Sequence, residues 1–581
     1  MQIWLRRYRL DQDRTPGMNP KNFLLSKIRS ARGQDDCDLL LKNVRYLDVF
    51  SCDWNSGDIA ISGGTIVGVE PGLKAKRVWE GAGKTVVPGF VDAHVLVESS
   101  LMVPGYFQSA VLSRGTTTAI CDPHEMANVA GVSGIQYFLD ASAHMEMDLW
   151  VMMSSCVPAT HLETNGGGTI VSEQLLKLSS HPRALGLAEM MNVPGVLNGD
   201  DETLNKIVGF SHRPLDGHCP LLKGRDLSAY ATSGISSCHE SSELEEAREK
   251  LSKGIAVWIR EGSVAKDLHA LIPLLTLATS TSLGFCTDDR NPLDILNEGH
   301  VDHLVREAIK FGVSAAVAYR TASWAVARHY GLASGPRRVG AVAPGYQADL
   351  VLLNDAQTVS ISEVLKNGQF SSEIQAKHNP KSDTQFLGSV RAMVPETLDL
   401  EGVQGRVYVI GVKHGKIITT RHVMNHNDKG VSKLSVLERY GRGTKPANAY
   451  VLGFGENFKG AIASSVGHDS HNLIAVGDQA SDMRAAMSSL IECGGGFVVV
   501  QNGVVLARLA LPMGGLMSTQ DPESLRKSLE ALKEASRLVG CELPEPFLQL
   551  AFLSLPVIPS LKLTDQGLVD VDAFKLIDVR A

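Results

Sequence analysis

His94, Glu189, His218, His239 and Asp288 are the residues of this sequence whose types could hold a divalent metal. Imidazole and carboxylate are the donors expected for Zn, Mn or Fe, and five such groups converging on one mouth would hold one or two ions. Each taken alone has an ordinary reading as a packed or hydrogen-bonded side chain. Their joint placement argues for a site, because each falls at the end of a short apolar run. A divalent ion lowers the pKa of a bound water from about 15.7 towards 7, and a neighbouring carboxylate can relay its proton to a leaving amine. Glu98 in VESS, His124 and Glu125 in DPHEMANV, and Asp289 beside Asp288 face the same predicted mouth. They are candidates for touching substrate or for orienting the histidines, which such sites require. Glu240, Arg260 and Glu261 are weaker candidates, evenly balanced against ordinary solvated charges.

The elements that must position these groups are strands. Residues 90–97 read as one, with Asp92, His94, Leu96 and Glu98 on a single face, since strand side chains alternate. Further β-like runs recur at 116–121, 149–156, 184–190, 214–218, 234–240, 255–262 and 282–289. Helix-like segments separate them, which is the cadence of a (β/α) barrel, and the polar candidates sit at strand C-terminal ends, where barrel sites form. Val301, Leu304, Val305, Ala308 and Ile309 give one intervening helix its apolar stripe. Strands at 38–49 and 58–69, the latter turning at Gly63 and Gly64, precede the barrel, and 339–354 follows it with another strand. These pieces pair only if the barrel is an insertion between them. Beyond a polar passage, a third region shows hairpins at 407–421 and 494–509 and a helix at 522–538.

The stretches VPGFVDAHVLVESSLMVP, GTTTAICDPHE, GLAEMMN, CTDDRNP and GYQADLVLL, with SSVGHDSHNLIAVG and LPMGGLMS further on, resemble the adenine deaminase family of the amidohydrolase superfamily. The likeness runs from about residue 38 to 579. It implies an α/β protein with a (β/α)8 TIM-like barrel at 87–335 inserted in a small β-sandwich at 38–86 and 336–400. A C-terminal domain at 401–581 follows, and 1–37 is left as a tail. The activity implied is metal-dependent hydrolysis of adenine to hypoxanthine and ammonia, with one or two ions, Mn or Fe before Zn, in a homodimer. Glu189 takes the bridging place that a carbamylated lysine holds in other amidohydrolases, and His218 and His239 bind the second ion. His94 and Asp288 bind the first, with Asp288, His239 and Glu98 as the catalytic groups. One position departs from the family: Leu96 stands where a second metal-binding histidine is expected, two residues after His94. Leucine has no lone pair, and Glu98 is the nearest group to replace the lost donor. Two alternatives follow, a pseudoenzyme that binds a purine or a partner, and a hydrolase for another cyclic amidine or amide.

Composition narrows the partners. A net charge of -7 with mixed signs along the chain gives no basic stripe for nucleic acid. Nine cysteines scattered singly argue against a disulfide framework and for the cytoplasm. No apolar run reaches the roughly 18 residues of a membrane span. The opening MQIWLRRYRL runs straight into Asp11 and Asp13 without a cleavage signature, so a loose tail ahead of Met18 is expected rather than a targeting peptide. The HDSH run at 468–471 reads as a hydrogen-bonded loop more readily than as a minor metal site.

Overall fold

The computed structural model describes residues 19–374, 384–399, 403, 405–443 and 445–581. Five strands open the chain: β1 (Cys37–Asp48), β2 (Asp53–Ser62), β3 (Thr65–Gly68), β4 (Ala75–Glu80) and β5 (Thr85–Pro88). The barrel follows with β6 (Phe90–Val95), β7 (Thr116–Cys121), β8 (Asp148–Met153), β9 (Ala184–Met190), β10 (Leu215–Gly217), β11 (Ser237–Cys238), β12 (Ala256–Arg260) and β13 (Leu283–Cys286). These eight pair in sequence order, all parallel. The ring closes where Val95 bridges Asp288, with the Asp288 amide donating to the His94 carbonyl at 3.0 Å. Every residue of the eight strands is buried, as a parallel sheet covered on both faces requires. The helix Val301–Lys310 packs on the barrel through Val301, Leu304, Val305 and Ala308. Full burial of each large aliphatic there contributes about 1.5–3 kcal/mol.

The insertion expected from sequence is present. β14 (Leu350–Asp355), β15 (Ser360–Lys366) and β16 (Gln369–Phe370) return to the opening strands, with β14 antiparallel to β5 through pairs such as Val351–Val87. The β2–β3 turn uses Gly63 and Gly64, both at positive φ. Hydrogen bonding makes this unit one sheet that forks at β1. A bulge between Leu41 and Val44 lets the first half of β1 pair with β4 and the second half with β5.

The third region is an eight-stranded mixed sheet built from β17 (Arg406–Val412), β18 (Thr419–Asn425), β19 (Val431–Leu437), β20 (Ala447–Leu452), β21 (Ala461–Ser464), β22 (Leu473–Gly477), β23 (Gly496–Gln501) and β24 (Val504–Ala510). The expected helix spans Pro522–Leu538, started by an Asp521 cap on the amides of Glu523 and Ser524. Strand β18 begins later than the sequence pattern suggests. Residues expected to lie between the sandwich and this region belong with the latter: Val390, Ala392 and Leu398 join the core under the helix Ala480–Glu492.

The expected tail also needs correction. Residues Pro20–Ala31 form a helix, because Asn19 caps the Lys21 amide and Pro20 presets the first turn. Lys27 ties it to Thr65 of β3 at 2.8 Å. Residues 1–18 lie outside those described. All nine cysteines are free thiols. Among the described residues, no helix is long and apolar enough to cross a membrane.

Candidate metal centre

Each of the five principal candidates emerges at the C-terminal rim of the barrel. His94 is the penultimate residue of β6 and Glu189 that of β9; His218 and His239 directly follow β10 and β11; Asp288 lies two residues beyond β13. All five line one cleft or touch a residue that does. The Glu189 carboxylate is its centre. Its Oε2 accepts from His218 Nδ1 at 2.6 Å and lies 3.3 Å from His239 Nε2. Its Oε1 lies 3.5 Å from both His94 Nε2 and His124 Nδ1. One carboxylate thus divides its two oxygens between two sets of imidazoles, the geometry a bridging ligand needs.

Three donor groups meet here within ligating range of one another: His94, His239 and Asp288; Glu189, His218 and His239; Asp122, His124 and Glu189. His94 Nε2 is buried without a hydrogen-bond partner, and its ring stacks on His239 with centroids 4.1 Å apart. A buried, unpartnered nitrogen facing carboxylates at 3.4 Å (Asp288 Oδ1) and 3.5 Å is what a cation site leaves when only protein atoms are considered. The donor set therefore fits a divalent ion.

The electrostatics agree. Burial works against charge on His218 and His239, yet Glu240 and Glu189 hold the first at about 9, and Glu189 and Asp288 hold the second at about 9. Burial alone would raise the Glu189 pKa, but His239 and His218 keep it well below the carboxylate range. The same positive charge that protons supply here, a metal ion supplies when bound. Arg260, which the sequence leaves evenly balanced between a site role and a solvated charge, is buried. It donates to Asp288 Oδ2 at 3.0 Å, to Asp267 Oδ2 at 3.1 Å and to Glu240 Oε2 at 3.1 Å, which fixes how Asp288 faces the cleft.

The secondary candidates divide. His124 opens the helix His124–Ala130 after β7, and Asp122 Oδ2 orients it at 3.0 Å. Asp122 is a site residue that sequence reasoning misses; its place before Pro123 and His124 is the only signal. Asp289 lines the cleft and accepts from Ser99 Oγ; burial, with Asp288 and Glu125 adding to it, pushes it up to about 6. Glu125 ion-pairs with His468 and accepts from His471, both of the C-terminal region. Glu98 belongs to none of the donor groups, so it does not stand in for the donor missing at position 96. Its Oε1 takes the Met126 amide at 3.0 Å, anchoring the first turn of the helix that carries His124 and Glu125. The strand ends at Val95, and the short helical turn Val97–Ser100 swings Glu98 off the face it would share with His94. Leu96 does line the cleft, as alternation predicts.

The HDSH run roofs the site, and two of its residues enter further donor groups: Asp469 with His124 and Glu125, and His468 with Glu125 and Asp289. His468 and Asp469 line the cleft together with Ile417, Phe552, Leu555 and Ile558, all from the C-terminal region.

Residues 85–370 match the amidohydrolase family, and residues 411–575 match the adenine deaminase C-terminal domain. The chain is 47% identical over 564 residues to an adenine deaminase of Methylobacterium nodulans, covering 95% of this chain and 99% of that one. The chain belongs to the adenine deaminase family. Identity to an adenine deaminase of Gluconobacter oxydans is 46% over 561 residues, covering 94% of this chain and 98% of the other. Against adenine deaminase 1 of Agrobacterium fabrum it is 44% over 580 residues, with 97% and 99% covered. Membership of this metal-dependent family agrees with the donor set at the barrel rim. It also accounts for the C-terminal region, which amidohydrolases in general do not share.

Proposed function

We propose that this protein hydrolyses adenine to hypoxanthine and ammonia. The observation that carries the reading is the Glu189 cluster: its imidazoles and carboxylates are complete apart from position 96, in a chain related along nearly its whole length to proteins named for that reaction. When bound, a divalent ion would lower the pKa of a coordinated water towards neutrality and so supply the nucleophile. Glu189, His218 and His239 would hold one ion, and His94 with Asp288 the other. Asp288 takes up a proton and returns it to the leaving amine, while Arg260 keeps that carboxylate aimed into the cleft. Mixed imidazole and carboxylate donors suit Mn or Fe, with Zn the next choice. The reading includes a barrel domain near 87–335, a homodimer and a cytoplasmic setting, on the strength of the family resemblance and the free thiols. Nothing in the site favours a pseudoenzyme. The test is ammonia release from adenine after reconstitution with Mn or Fe, run beside elemental analysis. Turnover on the order of 10 per second is expected; a metal-loaded protein that leaves adenine intact would sink the reading.

Leu96 sets a second expectation. His124, held by Asp122 and 3.5 Å from Glu189, is the donor best placed to make up for the missing imidazole, in preference to Glu98. Leu96→His adds a ligand beside His94 without opening a cavity, so the variant is expected to retain its metal against a chelator about tenfold better and to turn over faster. Equal metal retention by the two proteins would mean that the site is already complete with leucine.

A further inference from the structure

The floor of the cleft is the barrel, but its roof is not. The loop between β21 and β22 brings His468 and Asp469 over the donor cluster, and Asp469 comes within ligating range of His124 and Glu125. Both side chains are 3% exposed, and each carries a buried polar atom with no hydrogen-bond partner among the described residues: Asp469 Oδ2 and His468 Nε2. Leaving such atoms unpaired is costly, so each is open to a partner that is not protein, with Asp289 Oδ1 standing 3.9 Å from His468 Nε2, beyond hydrogen-bond reach. The loop is held rigidly. Glu125 of the barrel ion-pairs with His468 and accepts from His471; Asn472 donates to the Thr164 carbonyl at 2.9 Å; Arg439 donates to the His471 carbonyl at 3.1 Å. Around it the roof is apolar and flat. The Phe552 ring lies parallel to His468 at 4.6 Å between centroids, and Leu555, Ile558, Val557 and Ile417 continue the surface.

We infer that the C-terminal domain carries the base-recognition half of the active site, with the unpaired Asp469 oxygen accepting the imidazole-ring N–H of a free purine. His468 Nε2 meets a second ring nitrogen, and the apolar roof covers the face of the ring. This inference rests on the proposed adenine reaction and adds to it the selection of substrate. A purine substituted at N9 has no imidazole-ring N–H, so it would leave Asp469 buried and unpaired. Sites built to pair a substrate N–H discriminate strongly against analogues without one. Asp469 is therefore a specificity residue and not one of the groups that turn the reaction over. The cleft is lined from both halves of the protein, so base and metal cluster share one space.

The test measures binding, independently of turnover. Hypoxanthine and 9-methylhypoxanthine are titrated calorimetrically into Mn-loaded full-length protein, into Asp469→Ala and into the near-isosteric Asp469→Asn. Wild type is expected to prefer hypoxanthine by about tenfold or more, the value of one charge-assisted hydrogen bond. That preference should collapse in Asp469→Ala and survive in part in Asp469→Asn, whose amide oxygen still accepts. An unchanged preference in both variants, an equal loss of affinity for both ligands, or the loss of a metal equivalent with the carboxylate would overturn the inference. Adenine turnover by wild type is measured alongside. Ammonia release with no dependence of binding preference on Asp469 refutes only the specificity role. Asp469-dependent preference without ammonia release refutes only the proposed reaction.

Discussion

Glu189→Gln is expected to abolish adenine deamination, lowering kcat by roughly 10³-fold or more, and to lower the metal content of the purified protein. The substitution keeps the shape of the side chain and removes its charge. Four imidazoles, those of His94, His124, His218 and His239, now face that carboxylate at 2.6–3.5 Å. An amide presents one oxygen where the carboxylate presents two, so it can serve one set of imidazoles but not both. Its NH2 group would be directed at the other set, where ring nitrogens must be left free to ligate. The fold should survive, because β9 is fixed by its neighbours β8 and β10 and by apolar burial rather than by this charge. Elemental analysis, ammonia release and thermal unfolding measured together separate the cases. A Glu189→Gln protein with full metal content and near-normal turnover would remove Glu189 from the centre of the site.

The barrel was legible because its strands are continuous apolar runs with a polar residue at the end of each, and that polar residue is where a barrel places its chemistry. His94, Glu189, His218, His239 and Asp288 stand out on that ground, and the structure brings them together. Glu98 misleads for a local reason. Period-two alternation holds to Leu96, which is still extended, and cannot be carried past it, because the chain turns at Val97–Ser100. The roof is harder to read. Glu125 and His471 meet across 346 residues, and no spacing rule in a single sequence reports a pairing at that range. The SSVGHDSH stretch looks like a polar loop, which it is; its function comes from where β21 and β22 hold it. Arg260 resembles a solvated charge because charged residues at strand ends usually are. Its burial follows from three carboxylates, Glu240, Asp267 and Asp288, that lie apart in sequence and converge only in the closed ring. The N-terminal helix was missed: its start signal, Asn19-Pro20, lies in a stretch read as tail.

Asp288→Asn is expected to lower kcat by about 10²- to 10⁴-fold, the range of a lost proton-transfer group, with a much smaller effect on KM. Asp288 sits at φ 51°, a left-handed conformation that asparagine adopts readily, so the backbone that closes the barrel between His94 and Leu96 should be spared. The neighbours tolerate the change as well, since Arg260 keeps Glu240 and Asp267 when it loses the charge of Asp288. What disappears is the base. Burial would push this carboxyl towards its neutral form, but His94, His239 and Arg260 hold it well below the usual carboxylate range, so it is ionised in the site. The amide of asparagine cannot take a proton or hand it to a departing amine. Metal content decides how the result is read. If Asp288→Asn is compared with wild type at equal metal occupancy and turns adenine over at a similar rate, proton transfer belongs to another residue and Asp288 serves only to close the ring and hold His94.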